Sequence, residues 1–280
     1  MTAIAEKPSD SAIVKAPLMY YVDDGTPAAS KTGDEIDNSR SYEGSYEHKM
    51  MLIRDARPQR HDFKLETHGF VLVDHQTKVQ DFYDPAEMLS VYYKETEELI
   101  KAISGATRVQ VFDHTLRSGD NDFRSGKPVR EPVRRVHNDY TEWSGPQRVR
   151  DLIPDEANEL LKRRFAIIQV WRGINKPIKS DPLCICDSRL LKDSELYPSQ
   201  RIYPDRVGET YVVTHSQEHE WLYFSEMTRD EAIVFKVYES AKDGRARWTA
   251  HTSFPLPNQD PIAHPRESCE MRALAFFGAA

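Results

Sequence analysis

The sequence predicts a mainly β fold, with an all-β core and helices packed outside it. At least seven short segments have the apolar, β-branched or aromatic content of strands. Few helical patterns follow residue 165, and the 280-residue chain shows neither an internal repeat nor a linker between domains. We therefore expect a single domain spanning residues 1–280.

The first 47 residues are predicted to be a largely irregular N-terminal arm. Residues 1–15 are polar, and residues 23–47 are rich in Gly, Asp, Ser and Pro, which is typical of a long loop lying over the body. Only residues 18–22 have the apolar content of a short strand. Such an arm can wrap a partner subunit, so a homodimer is a hypothesis.

The clearest predicted helix begins after Asp84. Asp84 can cap its N-terminus, Pro85 suits the first helical position, and Glu87 occupies the position of a capping-box acid. An apolar stripe at helical spacing follows, and Gly105 fits the left-handed residue that ends a helix. We expect this helix to pack on a sheet. A second short helix, over residues 154–161, has acids at its start and bases at its end, as the helix dipole favours.

The other elements are predicted from their local composition. Residues 165–171 form a nearly continuous apolar run, which indicates a strand covered on both faces. Charged residues, Ser and Gly between positions 117 and 129 predict a mobile loop, either a lid over a site or a solvated connection. The remaining predicted strands are residues 50–53, 69–73, 107–112, 183–186, 210–214, 221–224, 232–238 and 271–277.

Composition argues against several classes of protein. The net charge of −7, from 38 basic and 45 acidic residues, gives no basic surface for nucleic acid. No apolar run approaches a membrane span, and the N-terminus lacks the apolar segment of a signal peptide. Three cysteines argue against a disulfide scaffold and fit a reducing cytoplasm. The spacing of Cys184 and Cys186 is not that of structural zinc, so buried strand cysteines are expected.

Ten histidines raise the question of a metal site. His137 and Asp139 are two residues apart, so on a strand both side chains leave the same face. His251, in a non-helical segment further along the chain, can supply a third ligand. Two His and one carboxylate on one face form the ligand set of non-haem Fe(II) oxygenases. His215 and His219 compete with His251 for the third position.

A possible carboxylate site follows the third candidate ligand. Arg266 lies fifteen residues after His251, and Ser268 shares the two-residue strand spacing with Arg266. An Arg fork with a neighbouring hydroxyl suits a small carboxylate. A His-x-Asp pair alone is a weak signal because it often arises by chance. The order of all these features along the chain makes the metal hypothesis stronger.

Six segments also carry a family resemblance. They are His-x-Asp-Tyr-Thr-x-x-Ser-Gly-Pro (137–146), Val-Trp-Arg-Gly-Ile (170–174), Gly-Glu-Thr-Tyr (208–211), His-x-Trp-x-Tyr-Phe (219–224), His-Thr-Ser-Phe (251–254) and Pro-Arg-Glu-Ser (265–268). In their order they resemble the Fe(II)/2-oxoglutarate dioxygenases, and most closely the cephem-methoxylase-like and gibberellin-desaturase-like oxidoreductases of bacteria and fungi. The resemblance extends from about residue 20 to the C-terminus.

The resemblance implies a double-stranded β-helix (jelly-roll or cupin-like) core with flanking α-helices. It implies that Fe(II) binds His137, Asp139 and His251, and that 2-oxoglutarate and O₂ are the cosubstrates. Arg266 and Ser268 would hold the far carboxylate of 2-oxoglutarate. The implied reaction is a C–H oxidation, such as hydroxylation or desaturation, of a small secondary metabolite, with release of succinate and CO₂.

Several residues are candidates for the substrate side of the site. Aromatic residues at a pocket mouth suit an apolar or ring-bearing small molecule, although Trp171 and Tyr223 can equally be core residues. Arg172 ends an apolar strand and needs a partner, either a substrate carboxylate or a structural acid such as Asp187. The candidates are Tyr140, Trp143, Trp171, Arg172, Asn175, Trp221 and Tyr223.

Two other functions use the same residues. A zinc-dependent hydrolase or lyase can have His/Asp/His ligands, since zinc accepts them and keeps an open position. Such an enzyme would not need Arg266 and Ser268. In a metal-free β-helix binding protein, the His and Asp side chains would only form hydrogen bonds. Metal content and Fe(II)-dependent succinate formation distinguish the three functions.

Overall fold

The chain folds into two β-sheets that enclose an apolar core. The computed structural model describes residues 12–32, 40–204, 206–257 and 263–278. The described residues form sixteen strands. These are β1 (Ile13–Val22), β2 (Ala28–Thr32), β3 (Arg40–Glu43), β4 (Ser45–Asp55), β5 (Phe70–Asp74), β6 (Arg108–Ser118), β7 (Val129–Arg130), β8 (His137–Asn138), β9 (Phe165–Gly173), β10 (Leu183–Cys186), β11 (Leu196–Ile202), β12 (Val207–Val213), β13 (Trp221–Tyr223), β14 (Glu231–Glu239), β15 (His251–Ser253) and β16 (Glu267–Phe276).

The two sheets face each other across the core. The larger has the strand order β1-β4-β13-β10-β15-β8-β12-β11-β2-β3, and the smaller has the order β5-β14-β9-β16-β6-β7. Ile185 and Leu222 of the larger sheet pack in one apolar cluster with Ile167 and Phe235 of the smaller sheet. The prediction of a mainly β, jelly-roll core is therefore confirmed.

Helices cover the outside of the core, as predicted. None of the described helices combines the length and the apolar content needed to cross a bilayer. The helices are α1 (Pro85–Glu87), continued by a π-helical turn (Met88–Tyr92) and α2 (Tyr93–Ser104), then α3 (Asn121–Arg124), α4 (Ser144–Leu152) and α5 (Ala157–Leu160). Short 3-10 turns cover Arg57–Gln59, Ser188–Leu190 and Asp193–Glu195.

The strand predicted to be covered on both faces lies at the centre of the smaller sheet. All nine residues of β9 are buried. Phe165 and Ile167 face the core between the sheets, whereas Ala166 and Ile168 face the second apolar cluster, under the helices. Because side chains alternate along a strand, burial of both faces requires a continuous apolar run. All the other predicted strands overlap observed strands.

The predicted helix after Asp84 is confirmed, with one difference at its start. The Asp84 carboxylate accepts a hydrogen bond from the Ala86 N–H at 2.9 Å, and Gly105 ends α2 with φ of +73°. Glu87 does not close a capping box. Its carboxylate accepts bonds from the backbone N–H groups of Gln80 and Asp81 instead, because the preceding turn folds back over the helix start.

The prediction that residues 1–47 are largely irregular is wrong for the described part of that segment. β1 pairs with β4 along its full length, and β2 pairs with β11. The turn-forming residues lie between these strands: Asp24 accepts from the Thr26 N–H and the Ser45 hydroxyl, and Gly44 has φ of +104°. Residues 1–11 and 33–39 lie outside the described residues.

The predicted loop over residues 117–129 is also partly wrong. Arg117 and Ser118 are the last residues of β6, and α3 lies within the segment. Among the elements that were not predicted are α4 and β11. α4 begins at Ser-Gly-Pro, which normally indicates a turn, and β11 contains Pro198 among polar residues, which are rare in strands. The helix predicted over residues 154–161 is confirmed in a shorter form, α5, which covers only Ala157–Leu160.

Gly145 allows α4 to lie against the core. A Cβ atom at this position would overlap the ring of Tyr238, which stacks on Phe165 with a centroid distance of 5.0 Å. Helix propensity favours Ala over Gly by about 1 kcal/mol. Overpacking of a core costs about 1–3 kcal/mol, so packing should decide the outcome.

Gly145→Ala is therefore expected to lower the free energy of unfolding. The measurement is the urea midpoint, with Arg150→Ala on the exposed side of α4 as the control, which should leave the midpoint nearly unchanged. An unchanged or raised midpoint for Gly145→Ala would contradict the packing argument.

Candidate metal centre

The structure brings His137, Asp139 and His251 together. The candidate ligand atoms of the three side chains all lie within 4.8 Å of one another. His137 in β8 is the direct antiparallel partner of His251 in β15, and their ring centroids are 4.4 Å apart. Strand pairing thus joins two segments that are far apart in the sequence.

The backbone fixes the tautomer of both imidazoles. His137 Nδ1 lies 2.8 Å from the carbonyl of Arg135, and His251 Nδ1 lies 2.9 Å from the carbonyl of Thr249. A carbonyl only accepts, so each Nδ1 must carry the proton and each Nε2 has a free lone pair. His251 Nε2 is buried and has no hydrogen-bond partner among the described residues. A bound metal would satisfy it.

Electrostatics keep His251 in the form that binds metals. Burial, together with the neighbouring His137, lowers the pKa of His251 to about 4. The imidazole is therefore neutral near physiological pH, which a metal ligand requires.

One of the two carboxylate oxygens of Asp139 accepts the hydrogen bonds that hold this side chain in place. Oδ2 accepts bonds from Gln169 Nε2 at 2.6 Å and Arg272 Nε at 3.2 Å, whereas Oδ1 lies 3.4 Å from His137 Nε2. Burial alone would raise the pKa of Asp139, but the neighbouring His137 and the charge of Arg272 hold that pKa well below its usual range. Oδ1 is left to bind a metal.

Gln169 and Arg272, which support Asp139, were not predicted to be site residues. A pattern in the sequence nevertheless marks each of them. Gln169 is the one polar residue in the apolar run of β9. Arg272 is the direct strand partner of Gln169, and it continues the two-residue series of Arg266, Ser268 and Glu270. A polar series at strand spacing beside an apolar one indicates a strand with one functional face.

Asn138 was also not predicted to be a site residue. Its side chain connects the segments of the chain that contain the candidate ligands. Its Nδ2 donates to the carbonyls of Tyr140 at 2.7 Å and Val237 at 2.9 Å, and its Oδ1 accepts from the Thr249 N–H at 3.1 Å. Thr249 in turn supplies the carbonyl that orients His251. Both N–H donors and the oxygen of this buried amide are thus used to set the geometry of the site.

Arg266 lines a cavity with His137 and His251, and both Arg266 and Ser268 are deeply buried. Arg266 Nη1 donates to the carbonyl of Asp181 at 2.6 Å, but its Nε and the Ser268 hydroxyl have no partner among the described residues. Burial, then the charge of Arg117, lowers the pKa of Arg266 to about 9. A cavity of about 270 Å³ extends from the two histidines to Arg266. The unused donor of the buried Arg266 fits an acidic ligand in this cavity, and the Ser268 hydroxyl is a second buried donor two residues further along the chain.

Three substrate-side candidates line cavities at the site. Tyr140 and Trp143 line a cavity of about 670 Å³ that reaches Asp139. Trp171 lines the smaller cavity with Arg266, whose guanidinium lies 5.5 Å from the Trp171 ring centroid.

The other four candidates do not line the cavities that reach the three ligands. Arg172 is buried and donates to the carbonyls of His75 and Arg229, and its hydrogen-bond partners do not include Asp187. Asn175 donates to Glu267. Trp221 and Tyr223 belong to an apolar cluster of the larger sheet, because β13 pairs within that sheet. These four assignments are corrected.

The competing histidines have other partners. His219 contacts Glu195 at 3.0 Å and Tyr20 at 3.1 Å. His215 packs edge-on against Tyr20. Across the described ranges, the one group of three ligand-type residues close enough for a metal is His137, Asp139 and His251.

A further cavity touches the same ligands. It has a volume of about 480 Å³ and reaches His137 and Asp139. Its walls include Tyr42 of β3 and Tyr46 of β4, which belong to the segment predicted to be an irregular arm. The other lining residues are Ser30, Arg117, Val133, Arg135, Ser199, Arg201, Thr210 and Val212.

Comparisons with known proteins agree with this geometry. The family model described as oxidoreductase/YMDC permease-like domain matches residues 18–276. The hydroxylase/desaturase CTB9 of Cercospora beticola is 35% identical over 83% of this chain and 78% of its own. The Fe(II)/2-oxoglutarate-dependent dioxygenase nvfI of Aspergillus novofumigatus is 31% identical over 82% of this chain and 84% of its own. A solved structure of the iron and alpha-ketoglutarate-dependent endoperoxidase NvfI superposes with a TM-score of 0.84 and 26% identity, covering 95% of this chain and 99% of that chain.

Removing the third ligand is expected to abolish tight metal binding. His251→Ala should weaken Fe(II) binding more than the 10–100-fold that is usual for loss of a group supporting a ligand. Anaerobic calorimetric titration with Fe(II) measures this, and His215→Ala is the control. Equal loss in both variants, or none in His251→Ala, would remove His251 from the ligand set.

Gln169→Leu tests the support of Asp139 at nearly constant volume. Loss of the 2.6 Å bond to Oδ2 should reduce Fe(II) affinity by about 10–100-fold, since the carboxylate is less well oriented. The same titration measures it, and an affinity equal to that of the wild type would show that Arg272 alone is sufficient.

Proposed function

Since the chain belongs to the oxidoreductase/YMDC permease-like family and is an Fe(II)/2-oxoglutarate-dependent dioxygenase, we propose that His137, Asp139 and His251 hold its iron. We propose further that it oxidises a C–H bond of a small secondary metabolite. The observation that carries the assignment is the buried, partnerless Nε2 of His251 beside Asp139, at one end of a cavity that ends at Arg266.

The residues present fit iron. Two neutral imidazoles and one carboxylate on a common face form the ligand set of non-haem Fe(II) oxygenases. When bound, Fe(II) with 2-oxoglutarate and O₂ supplies the oxidising power, and 2-oxoglutarate becomes succinate and CO₂. The protein keeps both Nε2 atoms unprotonated through the carbonyls of Arg135 and Thr249, and it keeps Asp139 charged through Arg272.

Arg266 and Ser268 are proposed to bind the far carboxylate of 2-oxoglutarate. Arg266 Nε and Ser268 Oγ are buried donors without partners, and the Asp181 carbonyl and Trp171 ring already hold the guanidinium in place. A planar fork suits a carboxylate better than the point charge of Lys. Burial also excludes water, which strengthens this charge-assisted bond.

The larger cavities are proposed to take the substrate. Tyr140 and Trp143 line the cavity that reaches Asp139. Aromatic walls fit a ring-bearing substrate. A zinc hydrolase or a metal-free binding protein would leave the donors at Arg266 and Ser268 without a role.

Three broader features remain proposals. A single catalytic domain is supported by the pairing of β4, from the N-terminal segment, with β13 of the core. A cytoplasmic location is supported by three free, buried cysteines. A homodimer is supported by the exposed apolar side chains of Met50 and Leu52 on β4. Light scattering coupled to gel filtration tests the dimer, and a monomer mass would exclude it.

The proposed function is tested first under anaerobic conditions. Addition of Fe(II) and then 2-oxoglutarate should produce the weak visible charge-transfer band of a chelated 2-oxo acid. Admission of O₂ should then release succinate in an Fe(II)-dependent way. Tight binding of zinc with neither band nor succinate would favour the hydrolase instead.

Arg266→Ala is expected to weaken 2-oxoglutarate binding while Fe(II) still binds. Loss of one partner of a buried, hydrogen-bonded charge pair costs about 2–5 kcal/mol, which corresponds to roughly thirtyfold or more in affinity. Titration of the charge-transfer band with 2-oxoglutarate measures the change. Arg266→Lys should restore only part of the affinity, and wild-type affinity in the Ala variant would refute the assignment.

A further inference from the structure

The cavity of about 480 Å³ beside His137 and Asp139 is unusually rich in arginine. Arg117, Arg135 and Arg201 all line it. The one acidic residue in its wall is Asp139, whose charge is already committed to the metal site and to Arg272. The cavity next to the proposed iron thus has an excess of positive charge.

The three arginines have no acidic partner among the described residues. Arg117 Nη1 donates to the carbonyl of Glu131 at 2.9 Å. Arg135 lies over the rings of Tyr42 and Tyr46, and the contact shown for Arg201 is with the ring of Tyr203, at 5.4 Å. None of the three forms an ion pair with a carboxylate in the ranges that the structure describes. Carbonyls and ring faces leave the net charge uncompensated.

The positive charges also act on one another. Burial lowers the pKa of Arg117; the charge of Glu270 opposes this effect, and the charges of Arg272 and Arg201 add to it. Like charges in a partly buried cavity cost free energy unless a ligand neutralises them. An anionic ligand would satisfy unused N–H donors and relieve this repulsion at once.

Arg201 distinguishes this cavity from the cosubstrate cavity. Arg117 lines both the cavity that contains Arg266 and the one beside Asp139, so its charge is shared between them. Arg201 lines the cavity that also contains Arg117 and Arg135, and it lines the larger cavity that contains Tyr140. It does not line the cavity that contains Arg266. Its guanidinium is therefore placed for a second ligand, different from 2-oxoglutarate.

We propose that the substrate is an organic acid, and that Arg201 binds its carboxylate with Arg135 and Arg117 adding positive charge. The hydrocarbon part of the acid would lie against Tyr46 and Val212, which line the same cavity. This inference rests on the proposed function, since it places the acid beside the iron ligands. It makes Arg201 a specificity-determining residue.

The test compares acids with their neutral amides at the loaded site. The enzyme carries Mn(II) in place of Fe(II) and saturating 2-oxoglutarate, and the probes are 2-naphthoate against 2-naphthamide and benzoate against benzamide. Paramagnetic broadening of the probe proton resonances reports both affinity and proximity to the metal. The acid of at least one pair should bind ten times or more tightly than its amide.

Four variants separate the possible causes. Arg201→Gln should remove the preference for acid, and Arg201→Lys should keep part of it, because Lys retains the charge. Arg150→Gln, on the exposed side of α4, is the matched control and should leave the preference intact. Arg266→Ala should weaken 2-oxoglutarate binding and leave the acid preference in place.

Two results would overturn the inference: no acid binds more tightly than its amide, or the preference survives in Arg201→Gln. The second result would indicate that the acid binds the metal directly. Failure of Mn(II) or 2-oxoglutarate to bind, measured beforehand by electron paramagnetic resonance and calorimetry, would instead contradict the proposed function.

Discussion

The pairing of β8 with β15 is the constraint on which the site depends. It sets His137 directly opposite His251, but β8 has two residues and β15 has three, so the ladder alone is short. Asn138 compensates by bonding the backbone of Tyr140, Val237 and Thr249. Since the Thr249 carbonyl orients His251, one buried amide fixes the distance between the ligand segments and the direction of a ligand.

β16 has one apolar face and one polar face, and the polar face supplies charged side chains to the site. Cys269 and Met271 face the apolar cluster under the helices, whereas Glu270 and Arg272 face the site, and Arg272 contacts Asp139. A slip of one residue would exchange the faces of the strand. Burial of the apolar face thus fixes the register of β16, and this register places the polar face at the site. The free energy gained from apolar burial offsets the cost of burying these charges.

Positive charge lies on two sides of the proposed iron site. Arg266 lies in one cavity and Arg201 in another, and both have donors that no described acid satisfies. Such groups reduce the stability of the empty protein and strengthen binding of anions, because ligands supply the missing counter-charge. A site that binds two acids in adjacent cavities can hold the substrate C–H bond near the cosubstrate, while each acid keeps to its own cavity.

The sequence by itself determined what depends on residues close along the chain. The cap at Asp84, the apolar run of β9 and the His-x-Asp spacing each follow from local periodicity, and the resemblance to the family predicted His251 as the third ligand. Tertiary structure decided which side chains line the cavities. It moved Arg172 into contact with backbone carbonyls and brought Tyr42, from a segment predicted to be irregular, to the cavity wall. The reason is physical: local patterns fix the face of a side chain, whereas pairing between distant strands fixes its neighbours.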